Sequence, residues 1–131
     1  MALSYHQLGI VAHHRGDLAG AEAWYQKSLA IKEALGDRPG MTTTYGQLGL
    51  LNEDRNDWPS ALDWAIRCVD LLVKMSHPQL AQGIRLLARS AERLGLAALE
   101  ESWQRATATP LPAAVRAEVE RLIREEPSRQ P

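Results

Sequence analysis

Phenylalanine is missing from this 131-residue chain, and the aromatic share is 5%, all of it Trp and Tyr. A sheet-based core usually draws on aromatic and β-branched side chains, and here Ala and Leu recur instead, which suits closely packed helices. Cysteine occurs once, at Cys68, which excludes an internal disulfide and any cysteine-based metal cluster and suits a reducing, cytoplasmic compartment. Basic excess is lacking as well. The formal net charge is -1, with 12 Arg but only 3 Lys, so neither a nucleic acid nor an anionic membrane is an expected partner. The Arg bias points to a GC-rich genome. No run approaches the roughly 18 consecutive apolar residues of a spanning helix, and the first residues show no signal-peptide core. Also absent are a Gly-rich phosphate loop, a nucleophile elbow and a metalloprotease helix.

What is present is repetition. A shift of 40 residues aligns Met1 with Met41, Tyr5 with Tyr45, Gln7 with Gln47, Leu8 with Leu48 and Gly9 with Gly49. It also aligns Arg15 with Arg55, Asp17 with Asp57, Ala21 with Ala61 and Trp24 with Trp64, making nine identities in 24 positions. Leu29 with Val69 and Ile31 with Leu71 extend the match. Each copy carries helical spacing, as in Tyr5, Leu8, Ala12, Arg15 and again in Ala21, Tyr25, Ser28, Leu29. Gly16-Asp17 and Asn56-Asp57 separate the two helices of each copy, with a helix stop followed by an N-cap. Pro59 is tolerated in a first turn. Gly9 and Gly49 cost about 1 kcal/mol each against Ala in a helix interior, so each is expected to mark close approach of the pair's second helix.

A weaker third copy lies at a shift of 78: Leu86 falls on Leu8, Arg93 on Arg15, Leu96 on Leu18, Ala97 on Ala19 and Trp103 on Tyr25. Leu87 stands where Gly9 stood, so this pair is expected to cross more openly. Ser76-His77-Pro78-Gln79 reads as a capping box opening it. After Pro110 and Pro112, the stripe Val115, Val119, Leu122, Ile123 predicts one amphipathic helix that covers the end of the stack. The reading is therefore all-α: a right-handed α-solenoid of three antiparallel helix pairs plus a C-terminal capping helix, about seven helices. The expected boundaries are repeats at about 2–36, 41–75 and 78–107, a capping helix at about 112–126, all within a single domain 1–126, and a disordered tail 127–131.

The ordered residues Tyr5, Leu8-Gly9, Gly16-Asp17, Ala21, Tyr25, Ser28, and in the second copy Tyr45, Leu48-Gly49, Asn56-Asp57, Ala61, Ala65, Cys68, resemble the tetratricopeptide repeat. Ala65 departs from its aromatic position. The period of 40 and the connector Gly36-Asp37-Arg38-Pro39-Gly40 are similar to the long-helix variants of kinesin light chains and of large bacterial multidomain regulators. The resemblance implies a non-catalytic module that binds a partner peptide or helix in a concave groove, as the C-terminal part of a larger regulator. The alternatives are homo-oligomerisation through an uncapped first repeat, and sensing of a peptide or small ligand. By position the groove would be lined by Leu3, His6, Ile10, His13 and His14, then by Thr43, Gly46, Gln47, Leu50, Glu53 and Asp54. The third copy would add Ala81, Ile84, Arg85, Ala88, Ala91 and Glu92. Family members with a Lys, Asn and Arg cage hold a terminal carboxylate, but here His6, Ile10, Gln47 and Ala81 occupy most of those positions, and only Arg85 remains. Glu53, Asp54 and Glu92 would form an acidic edge facing basic residues of a partner.

Chemistry finds no foothold in this pattern. His6 and His13 are two turns apart, about 10.5 Å along a helix axis, too far to share a metal. Cys68 takes a small-residue packing position with no basic cluster to lower its pKa. Glu100-Glu101 and Glu125-Glu126 are sequence neighbours that read as solvated faces. No enzyme activity, cofactor or metal site is expected. Trp24 and Trp64, at equivalent positions, are expected to pack between helix pairs or on the convex side. Trp103 is expected in the core and Trp58 half exposed.

Overall fold

The computed structural model describes residues 4–125. Residues 1–3 and 126–131 lie outside this range, and with them Met1, Leu3, Glu126 and the expected tail. Seven α-helices make up the described chain, with no strand among the described residues. They are α1 (Tyr5–His14), α2 (Leu18–Leu35), α3 (Arg38–Asp54), α4 (Trp58–Met75), α5 (Leu80–Leu94), α6 (Leu96–Thr107) and α7 (Ala113–Glu125). The all-helical solenoid expected from the repeats is the fold found.

Short polar residues set the helix starts. Ser4 and Gln7 form a reciprocal capping box on α1. Asp17, Asp37 and Asp57 each accept a bond from the backbone N–H three residues on, at Gly20, Gly40 and Ser60. Stops are equally local. Gly16 (φ 80°) and Asn56 (φ 59°) occupy the same left-handed position in successive copies, which Gly and Asn tolerate best.

The junction before α5 differs from the expectation. Ser76 is not an N-cap: it is the left-handed C-cap of α4 (φ 49°), its N–H bonded to carbonyls of Leu72 and Val73. That conformation excludes the extended backbone an N-cap needs. His77 Nδ1 accepts from Gln79 N at 3.1 Å, and α5 begins only at Leu80, without a side-chain cap.

Two apolar clusters share α4. One joins Tyr25, Leu29, Leu48, Leu51, Cys68 and Leu72, and the other joins Leu62, Ile66, Val69, Leu87, Leu99, Trp103 and Val119. Gly9 does what its cost implied: a Cβ there would stand 2.5 Å from Tyr25 Cε1, so α1 and α2 meet at this glycine. Gly49 corrects the parallel expectation. Its neighbour is Leu86 of α5, whose Cδ2 would lie 2.9 Å from a Cβ on Gly49, and not its own second helix. The cause is Ala65, which stands where Tyr25 stands in the first copy and cannot reach across.

The third pair is open, as Leu87 implied. α5 packs more extensively on α4 and α7 than on α6, and Gly95 (φ 97°) alone connects α5 to α6. α7 lays Val115, Val119 and Leu122 into the second cluster. Trp103 is buried there, while Trp24 and Trp64 stack on the tyrosine of their own repeat. The ring centroids lie 5.6 Å apart for Tyr5–Trp24 and 5.9 Å for Tyr45–Trp64. Lys27 and Arg67 cover these tryptophans, and Arg93 lies over Trp58.

Candidate functional site

Where α3 and α5 run side by side, they leave a cleft of about 290 Å³ with α4 as its floor. α3 supplies Thr42, Thr43, Gly46, Gln47 and Leu50, α4 supplies Cys68 and Leu72, and α5 with the turn before it supplies Gln79, Gln82, Gly83, Leu86 and Arg89. Two glycines shape it differently. Gly83 lets α5 press onto α4, where a Cβ would meet Leu72 Cδ1 at 2.8 Å. Gly46 faces open space, with nothing within 4 Å of a Cβ position. The lining is therefore apolar, with buried Leu72 and Leu86 at its base and exposed Leu50 on its α3 wall, and it carries side-chain amides from Gln47, Gln79 and Gln82.

Charge around the cleft is internally matched. Arg89 Nε donates to both Glu53 oxygens, at 3.1 and 3.3 Å, linking α5 to α3. His13 Nε2 and Asp54 Oδ2 lie 2.5 Å apart, linking α1 to α3. Burial raises the Glu53 carboxyl above its usual range, and the Arg89 bond opposes that shift. Two residues of the acidic edge read from sequence, Glu53 and Asp54, are thus engaged by side chains of neighbouring repeats.

The remaining candidates scatter. Thr43, Gln47 and Leu50 line the cleft, with Glu53 at its edge through Arg89. Ile84 and Ala88 are buried in the second cluster with α7 residues, and Arg85 is exposed on the side of Glu118. Ile10 packs on the first cluster. His6 lines a separate hollow with Tyr5, Ile31 and Lys32, its ring tilted against Tyr25 at 5.7 Å. Burial, aided by Lys32, lowers the His6 pKa. Sequence reasoning missed Gln79, Gln82, Leu86 and Arg89. The signal that could have found them is Gly83, whose close approach to α4 fixes which face of α5 turns to α3.

Cys68 sits at the base with its thiol directed to the Thr42 carbonyl at 3.6 Å, and burial pushes its pKa up to about 11. It is a packing thiol and not a nucleophile at neutral pH. Among the described residues, no group of three or more His, Cys, Asp or Glu side chains is placed to hold a metal. Nor is any described helix long and apolar enough to cross a membrane.

A family model described as Tetratricopeptide repeat matches residues 1–72, more than half of the chain. Comparisons with curated proteins and with solved structures return no match. Repeats of this family generally mediate protein–protein interaction and are typically non-catalytic scaffolds. The helix pairs, the close approach at Gly9 and the matched segment agree: the chain belongs to the tetratricopeptide-repeat family.

Proposed function

We propose that this chain is a non-catalytic interaction module that takes a peptide segment of a partner protein into the cleft between α3 and α5. The observation that carries the reading is the open space at Gly46, flanked by an apolar lining and side-chain amides. Gln79 and Gln82 each offer one acceptor and two donors, enough to bond a peptide backbone, while one apolar side chain enters between Leu50, Leu72 and Leu86. With Arg89 held by Glu53 and Asp54 by His13, recognition rests on shape and amides, not on a charged tail. We place the module in a reducing, cytoplasmic setting, as part of a larger regulator. The single thiol and the similarity to bacterial regulators support this.

The test selects peptides from a displayed random library on the folded chain and measures each against Gly46→Met. A long, flexible side chain there fills the cleft without touching the core. The expected result is loss of binding with a melting temperature no lower than that of the wild type, since Met favours a helix interior over Gly. Equal binding to wild type and Gly46→Met refutes the cleft.

A further inference from the structure

Arg89 is the one charged residue among the described residues that line the cleft, and its bonding capacity is only partly spent. Its Nε donates to both Glu53 oxygens, and Glu53 is the more enclosed partner, with its side chain 13% exposed against 40% for Arg89. A guanidinium carries its donors in a rigid, planar fork, so this bond orients the whole group. The Nη groups of Arg89 meet no acceptor among the described residues, and Arg89 lines the cleft whereas Glu53 stands behind it. Charge at this end is already balanced. Glu53 answers Arg89, Asp54 adds a second carboxylate beside Glu53, and His13 lies against Asp54 at 2.5 Å. Farther along α5, Gln82 and Leu86 share the cleft face with Arg89. Gln82 and Arg89 are seven residues apart, about 10.5 Å along the axis, and three residues of extended peptide span about 10 Å.

We infer that Arg89 is the specificity-determining residue of this cleft, and that it selects an uncharged peptide by bonding the side-chain carbonyl of a glutamine or asparagine. The inference rests on the peptide-binding reading of the cleft and adds the chemistry of the occupant. Gln82 holds a backbone amide at one end, and the Nη donors of Arg89 hold the amide side chain three residues away. Side chains alternate along an extended peptide, so the residue two positions from that amide points to the same side. It is apolar and enters between Leu50, Leu72 and Leu86. A carboxylate in place of the amide is a poorer occupant, because Glu53 already balances the guanidinium and Asp54 adds to the repulsion. A peptide lysine there finds Glu53 engaged and meets the guanidinium itself.

The probe is a peptide selected from the displayed library on the full chain, then synthesised with acetyl and amide ends so that no terminal charge takes part. Selected sequences should align on an apolar residue with Gln or Asn two positions away. Replacing that amide residue by Ala should weaken binding to the wild-type chain about fivefold. The same replacement should cost nothing in Arg89→Lys, which keeps a cation for Glu53 but lacks the fork. Replacing it by Glu should also weaken binding to the wild type, by about fivefold. In Glu53→Gln, where the guanidinium is no longer balanced, the Glu peptide should bind more tightly than the Gln peptide. Alignment on an acidic residue, or a Glu peptide preferred by the wild type, overturns the inference. Binding that is lost in Gly46→Met yet indifferent to Arg89→Lys overturns it alone and leaves the cleft standing. Binding that survives Gly46→Met overturns the cleft itself, and the role of Arg89 with it.

Discussion

Three glycines inside helices offer the sharpest test of the packing, because their intrinsic cost is the same and their surroundings are not. Replacing Gly by Ala in a helix interior stabilises by about 1 kcal/mol if nothing else changes. At Gly46 nothing else changes, since the added methyl meets no atom within 4 Å. Gly46→Ala should therefore gain about 0.5–1 kcal/mol, which in a chain of this size raises the melting temperature by about 2–5 °C. At Gly9 the methyl falls 2.5 Å from Cε1 and 2.6 Å from Cδ1 of a Tyr25 ring that is fully buried. The ring cannot simply retreat, with His6 packed on it and its hydroxyl donating to Gln47 at 3.4 Å. Overpacking of this kind costs about 1–3 kcal/mol, which outweighs the propensity gain, so Gly9→Ala should lower the melting temperature. Gly49→Ala should fall between them, because it meets only the flexible end of Leu86 at 2.9 Å. Thermal unfolding followed by circular dichroism ranks the three. A melting temperature for Gly9→Ala as high as that for Gly46→Ala would refute the close approach of α1 and α2.

Two solution measurements follow from the buried groups. His6 should titrate below 6.5 in an NMR titration, and Lys32→Met should move it part of the way back up, since burial is the larger cause and Lys32 the smaller. With the folded value below the unfolded one, this histidine's contribution to stability is present above pH 6.5 and lost as pH falls through the folded pKa, a slope that His6→Asn should remove. Cys68, buried and with its pKa near 11, should react with a thiol reagent at about pH 8 only as fast as the chain opens. Prompt labelling of the native chain would contradict its place at the base of the cleft.

The parts of this fold legible in the sequence are those governed by neighbours along the chain. Asp17 and Asp57 announce helix starts because an N-cap acts over three residues, and Gly16 with Asn56 announce stops because few side chains tolerate a positive φ. Ser76 misleads for the same reason: serine is a favoured N-cap, and its left-handed role here is set by the end of α4. The candidate site is less legible, because its features arise between repeats. Glu53 and Asp54 read as a free acidic edge, and the residues that bond to them, Arg89 and His13, lie 36 and 41 positions away. Counting from the first copy puts Ile84 and Ala88 on the groove, whereas the packing of Gly83 on α4 and the arrival of α7 turn them inward. Gly49 shows the same limit. Its partner differs because Ala65 is small, a consequence visible only once α5 is in place.

The most direct test of the central claim is where a selected peptide binds. Amide shifts of the labelled chain on adding such a peptide should centre on Thr43, Gln47, Gln82 and Arg89, and should vanish in Gly46→Met. Shifts centred instead on α6 and α7, or unchanged by Gly46→Met, would contradict the account.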